Sequence, residues 1–292
     1  MASSANAALA AKIRNREWLS APGVFEMISA RLADMMGFDA LYMTGYGTVA
    51  SYLGVPDAGL ATYTDMLDRV TRTCAITSTP LIADGDTGYG GLLNVENTVR
   101  GYERAGAAVI QLEDQEFPKK CGHTPGRRVI PIEDAVAKIK VAVASRDSKD
   151  FLIMARTDAR GLYGLDEALK RGEAFANAGA DIIFIESPES EAEMRKVGGT
   201  FAGLPLIANM VEGGSTPVLG KDALQSLGYT LAIFPVAGFL AAAAAMRSVY
   251  GHVLETGSSV DAPAALYDFK EFSRLMGFEQ VWEFEKKWAD LG

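Results

Sequence analysis

The chain has 292 residues, 49% of them hydrophobic and 22% charged, proportions that exclude a disordered chain or a coiled coil. Its formal net charge of -9 is spread along the sequence, which argues against nucleic-acid or anionic-membrane partners. Two cysteines, Cys74 and Cys121, are too few for a disulfide framework and point to a reducing cytoplasm.

Residues 1–11 are small and alanine-rich but lack the charged and apolar regions of a signal peptide. The longest apolar run, 237–246, is too short to span a bilayer, so a soluble protein is expected. From there, short β-branched apolar runs alternate with longer helical patterns, as in βαβ units. Strands are predicted at 23–24, 40–44, 81–84, 109–113, 152–157, 182–186, 206–209 and 230–234. Helices are predicted at 25–36, 64–77, 93–104, 132–145, 165–177, 189–197, 221–227 and 238–254. Gly37, Gly106, Gly179 and Gly228 follow helical patterns, where glycine closes a helix before the next strand. Eight such pairs in one chain predict a (β/α)₈ barrel over 1–255. A Rossmann-like sheet is the competing topology, but no Gly-x-Gly-x-x-Gly follows the first strand. Beyond a loose stretch at 256–259, residues 265–276 and 278–291 read as two amphipathic helices. Their aromatic faces call for packing on this barrel or on a neighbouring subunit.

A barrel of this kind builds its site at the C-terminal ends of its strands. The predicted ends carry Asp84 and Asp86, Glu113 and Asp114, Arg156 and Asp158, Glu186, and Asn209. Asp84, Asp86 and Glu113 are hard oxygen donors without thiolate or imidazole company, a set that suits Mg²⁺ or Mn²⁺. Residues 86–90 could also be only a turn, but the acid on the next strand favours a cation. Lys119-Lys120-Cys121-Gly122-His123 gathers thiol, imidazole and ammonium on a loop rich in Lys and Arg. Such surroundings lower a thiol pKa and make it a usable acid or base; a half-buried structural thiol is the alternative. Arg156 suits a carboxylate clamp, or a buried ion pair with Glu186 or Asp158. His252, on the last barrel helix, reads as structural.

Thr44-Gly45, Leu53 to Asp57, Asp84 to Gly90, Gln111 to Asp114, residues 119–123, Ala155 to Asp158 and Asn209 to Glu212 resemble, in this order, the isocitrate lyase and phosphoenolpyruvate mutase superfamily. The resemblance runs from about Ala21 to Arg247. It implies a (β/α)₈ barrel, a Mg²⁺-bound 2-oxo acid or its enolate, and a C-terminal helix exchanged within a homotetramer. It also implies direct metal binding by Asp86 and largely water-mediated binding by Asp84 and Glu113. Tyr42, Thr44, Gly45 and Tyr46 would cradle a carboxylate with Arg156, and Asp57, Gly122 and Asn209 complete the substrate set. Cys121, Lys120, His123, Arg156 and Glu186 form the implied catalytic set. The mutase and phosphonopyruvate hydrolase branches lack Cys-Gly-His, so Cys121 points to the lyases. Thr124 and Glu212-Gly213-Gly214 depart from the 2-methylisocitrate lyase pattern. The stretch from Asn209 to Gly214 instead looks like the 2,3-dimethylmalate lyase, petal-death-protein and oxaloacetate hydrolase group, together with carboxyphosphoenolpyruvate mutases.

That reading leads to retro-Claisen cleavage of a 2-alkylmalate, with Cys121 donating a proton from a mobile loop hinged at Gly122 and Gly126. Oxaloacetate hydrolysis or decarboxylation and 2-methylisocitrate cleavage are the alternatives on the same scaffold, with a non-enzymatic 2-oxo acid sensor as a third. Tyr46, Pro235 and Phe239 are the positions expected to shape the apolar wall.

Overall fold

The computed structural model describes residues 4–122, 124 and 126–289. The chain divides into two compact units, Met1–Gly238 and Phe239–Gly292. The second unit begins earlier than the extension expected from 256, inside the helix Ala237–Thr256.

The first unit holds eight strands: β1 Leu19–Val24, β2 Leu41–Met43, β3 Leu81–Asp84, β4 Val109–Glu113, β5 Leu152–Thr157, β6 Ile182–Ile185, β7 Ile207–Asn209 and β8 Leu231–Phe234. Each pairs in parallel with its neighbours in the order β6-β5-β4-β3-β2-β1-β8-β7. A parallel bridge from Ile183 to Leu206, just ahead of β7, joins the two ends of that order. The expected (β/α)₈ barrel results. Every residue of β3, β4, β5 and β6 is buried, because helices cover the outside while side chains fill the inside.

Two apolar layers follow from the alternation of side chains along each strand. One lies between barrel and helices and includes Leu41, Leu81, Ile110, Ile153, Ile183 and the helix residues Val70, Val99 and Phe175. The other fills the barrel interior with Ile82, Val109, Leu152, Ile182, Ile207 and Leu231. Leu9, Ala10 and Ile13, from the helix Ser4–Arg14, join this inner cluster and plug the end from which the strands start. The open end is therefore the one where the strands finish, and that is where the acids stand.

Three helices occupy the second unit or lead into it: Ala237–Thr256, Phe269–Leu275 and Phe278–Trp288. None carries a buried residue. Phe269, Trp282 and Phe284 are 81%, 54% and 64% exposed.

Candidate active site

β2 ends at Met43 and the chain turns directly into the helix Gly45–Leu53. Thr44 caps that helix without a side-chain hydrogen bond, and Thr44, Gly45 and Tyr46 line the cleft at the open end of the barrel. A helix N-terminus presented in this way favours an anion such as a carboxylate. Gly45 has a steric reason to be glycine, since a Cβ there would collide with Oδ2 of Asp84.

Asp84 closes β3 and is fixed from several sides. Its Oδ1 accepts from the Asp86 amide at 3.0 Å and from Gln111 Nε2 at 3.2 Å, and its carbonyl accepts from the Tyr102 hydroxyl at 3.1 Å. Gln111, wholly buried mid-strand, accepts in turn from the Tyr42 hydroxyl at 2.9 Å. Burial, together with the negative charge of Asp84, holds the Tyr42 phenol well above its ordinary range, so Tyr42 remains a donor.

The next residues place cations among these acids. Lys119 is buried, and its Nζ lies 2.6 Å from both Asp57 Oδ1 and Asp86 Oδ1. The ammonium is within ion-pair reach of both oxygens but off hydrogen-bond alignment, so the contacts are ionic. Burial works against the Lys119 charge, yet Asp86 and Asp57 hold its pKa well above the ordinary value. Asp86 is pushed up to about 7 by burial, with Lys119 opposing and Asp84 and Asp57 reinforcing. Glu113 is raised as well, mainly by burial, against the pull of Arg156. Asp86 also has a left-handed backbone, φ 48°, a conformation that concentrates at functional sites.

Arg156, at the end of β5, spreads its donors over three carboxylates. Nε and Nη2 bond Asp158 at 2.9 Å each, Nη1 stands 3.2 Å from Glu186, and Nε stands 3.5 Å from Glu113. For Asp158, burial is outweighed by Arg156 and Arg127, which keep its carboxyl below the usual range. Asn209 Nδ2 donates to Glu186 at 3.0 Å, and the Ser187 amide donates to the other oxygen at 2.8 Å.

Over this floor runs the segment bearing Cys121. Its amide donates to the Asp57 carbonyl at 3.2 Å, and Gln115 clamps the Lys120 backbone through bonds of 3.0 and 2.8 Å. Gly122 crosses the Arg156 guanidinium so closely that a Cβ would collide with Nη2. Thr124 Oγ1 donates to the Cys121 carbonyl at 2.8 Å, making Thr124 a turn residue. The cleft beneath, of about 440 Å³ including its open mouth, is also lined by Asp57, Glu186, Asn209, Val211, Pro235 and Val236.

Of the expected site residues, Tyr42, Thr44, Gly45, Tyr46, Asp57, Asp84, Glu113, Lys120, Cys121, Gly122, Arg156, Glu186 and Asn209 all line this one cleft. Asp86 stands behind Lys119 rather than on the wall, and His123 lies outside the described residues. Of the two lysines in the loop Lys120 was expected to act, yet Lys119 is the buried one and Lys120 is exposed. Gln111 and the walls at Val211 and Val236 were also missed. A glutamine inside the run VIQLE was the available signal for Gln111, since a buried polar group demands partners.

Glu113 Oε1 and Asn209 Oδ1 are buried without a hydrogen-bond donor among the described residues, and Asp57 and Asp86 share one ammonium. The buried acids Asp57, Asp84, Asp86, Glu113, Asp158 and Glu186 exceed the cations Lys119, Arg127 and Arg156. Such a surplus fits a divalent cation. Among the described residues, no three His, Cys, Asp or Glu side chains gather closely enough to hold one alone. Carboxylate oxygens are the donors that suit Mg²⁺, which keeps several of its waters.

Buried acids, the Arg156 guanidinium and a helix N-terminus thus meet at the open end of a (β/α)₈ barrel. The family model described as phosphoenolpyruvate phosphomutase matches residues 9–254. The 2,3-dimethylmalate lyase of Eubacterium barkeri is 48% identical over 96% of this chain and 98% of its own length. A crystal structure of a 2,3-dimethylmalate lyase superposes with a TM-score of 0.92 at 36% identity, covering 98% of this chain and 96% of that one. Oxaloacetate acetylhydrolase in complex with 3,3-difluorooxalacetate superposes with a TM-score of 0.90 at 34% identity, covering 97% and 98%. The chain belongs to the phosphoenolpyruvate mutase/isocitrate lyase superfamily, and its relatives and structural neighbours include lyases of that superfamily.

Proposed function

We propose that the protein cleaves a 2-alkylmalate, 2,3-dimethylmalate being the best fit, into pyruvate and propionate. The observation carrying this reading is one cleft that joins a surplus of buried acid, an arginine clamp and a thiol to an apolar wall of Val211, Pro235 and Val236. The first three handle the malate frame, and the last accommodates short alkyl groups. The similarity to 2,3-dimethylmalate lyase supports the choice.

Asp86 would hold Mg²⁺ directly, with Asp84 and Glu113 acting through water. When bound, the ion supplies Lewis acidity that makes loss of the C2 hydroxyl proton accessible at neutral pH. The helix end at Thr44, Gly45 and Tyr46 receives one substrate carboxylate, with Arg156 as the clamp. As the C2 hydroxyl proton passes to a water in the cleft, the bond between C2 and C3 breaks, C2 becomes the pyruvate carbonyl, and the electron pair moves onto C3 and its carboxylate. Arg156 and Asn209 supply donors to that charge. Cys121 gives its thiol proton to C3, completing propionate, and the Gly122 crossing keeps water from the carbanion. Glu186 orients Arg156 and Asn209.

A second reading, hydrolysis of oxaloacetate, is favoured by the fit to oxaloacetate acetylhydrolase. The deciding assay incubates the Mg²⁺-loaded protein with 2,3-dimethylmalate, 2-methylisocitrate and oxaloacetate and identifies the products. Fastest release of pyruvate from 2,3-dimethylmalate is expected; faster formation of oxalate and acetate from oxaloacetate would overturn the assignment. The exposed aromatic tail is read as the contact to neighbouring subunits in a homotetramer, which light scattering checks. No helix among the described residues is long and apolar enough to cross a membrane, and the two thiols suit the cytoplasm.

A further inference from the structure

Arg127 has no role in the chemistry above, yet its contacts single it out. The segment that carries Cys121 is closed at its base by a clasp. Glu116 N donates to the Arg128 carbonyl at 2.8 Å, Gln115 and Val129 form an antiparallel bridge, and Ile130 N donates to the Asp114 carbonyl at 2.9 Å. Arg127 is the first residue inside that clasp. Its side chain is only 12% exposed and reaches into the barrel, where Nη1 stands 3.0 Å from Oδ1 of Asp158.

Asp158 is the carboxylate that grips Arg156 with both oxygens. Oδ2 takes Nε of Arg156, and Oδ1 takes both Nη2 of Arg156 and Nη1 of Arg127. With three donors on two oxygens, the carboxylate plane is fixed, and the guanidinium plane of Arg156 is fixed with it. Arg156 alone would not suffice, because it also faces Glu186 and Glu113, which compete with Asp158 for its donors. The fold makes room for the second guanidinium. A Cβ at Gly161, in the helix Arg160–Tyr163, would lie 2.8 Å from Arg127 Nη2.

We infer that Arg127 is a positioning residue for carboxylate binding, setting the orientation of the Arg156 fork through Asp158 and tying the Cys121 segment to the same anchor. The inference rests on the clamp role given to Arg156 above. It predicts that Arg127→Ala, which removes the guanidinium, has the large effect, and that Gly161→Ala, whose Cβ meets only the Nη2 tip at 2.8 Å, has a smaller one in the same direction without altering any charge.

The test measures oxalate affinity of the Mg²⁺-loaded protein by calorimetry, beside KM and kcat on 2,3-dimethylmalate and the melting temperature. Arg127→Ala should weaken oxalate roughly tenfold or more and raise KM by a similar factor, as expected for a misplaced clamp, and Gly161→Ala should shift both less and in the same direction. Guanidinium ion at tens of millimolar should restore part of the loss in Arg127→Ala and none in Gly161→Ala, where the notch is filled. Oxalate affinity within twofold of the unmodified protein in Arg127→Ala would overturn the inference. So would a loss that guanidinium leaves untouched and that tracks a matching drop in melting temperature. Absence of malate cleavage by the unmodified protein, with oxalate binding and its response to Arg127→Ala intact, sinks the substrate reading alone.

Discussion

Replacing Lys119 with methionine isolates the balance of charge on which the site depends. Its ammonium stands 2.6 Å from Asp57 and from Asp86, in a side chain 4% exposed. Methionine keeps most of the volume and removes the ammonium that pairs with both carboxylates. Withdrawing one partner from a buried ion pair costs about 3 to 5 kcal/mol, because a charge is left buried without compensation. For a unit of this size each kcal/mol moves the melting temperature by roughly 2 to 4 °C, so a loss of about 10 °C is expected in EDTA. Mg²⁺ should narrow the gap, since a divalent ion at a hundredfold its Kd returns about 2.7 kcal/mol and now meets no competing ammonium at Asp86. Scanning calorimetry of both proteins in EDTA and in millimolar Mg²⁺ measures the two gaps. A gap below ~1 kcal/mol in EDTA, or one that Mg²⁺ leaves unchanged, would refute the reasoning.

Three further outcomes are expected. Cys121→Ala should lower kcat by roughly 10² to 10⁴ while leaving Mg²⁺ affinity unchanged by calorimetry, and near-normal turnover would remove the acid role. Burial pushes the Cys74 thiol up to about 12, so iodoacetamide at pH 8 should modify Cys121 before Cys74; mass spectrometry finding the reverse order would contradict the environments described. In EDTA, stability should fall as pH rises from the ordinary carboxylate range to about 7, because Asp86 titrates there in the folded protein and near 3.8 in the unfolded chain. The native state binds the extra proton in that window, and Glu113, also raised, adds in the same direction. Urea midpoints that rise between pH 5 and 7 would run against it.

The barrel was legible because seven of its strands are short β-branched or apolar runs bounded by turns, a pattern that local physics writes directly. β1 was seen only at its last two residues, since Ser20, Pro22 and Gly23 break the apolar pattern that pairing with β8 imposes. The helix Gly45–Leu53 went unseen: two glycines and a β-branched valine give it poor propensity, and tertiary context forms it. The plug Ser4–Arg14 read only as an alanine-rich start, because nothing local says that Leu9 and Ile13 enter a barrel. At the site, residue types at strand ends were readable while side-chain direction in a loop was not. Hence Lys120 was named and buried Lys119 passed over, since no periodicity says which of two adjacent lysines points inward.

The plug at the lower end has a practical side. Leu9, Ala10 and Ile13 are at most 2% exposed and sit at the opposite mouth of the barrel from Cys121. Trimming the first fourteen residues would uncork the interior and show up as poor expression rather than as altered kinetics. Changes at Val211, Pro235 and Val236 would leave that stopper untouched, so the wall of the cleft can be reshaped while the far end goes on holding the barrel shut.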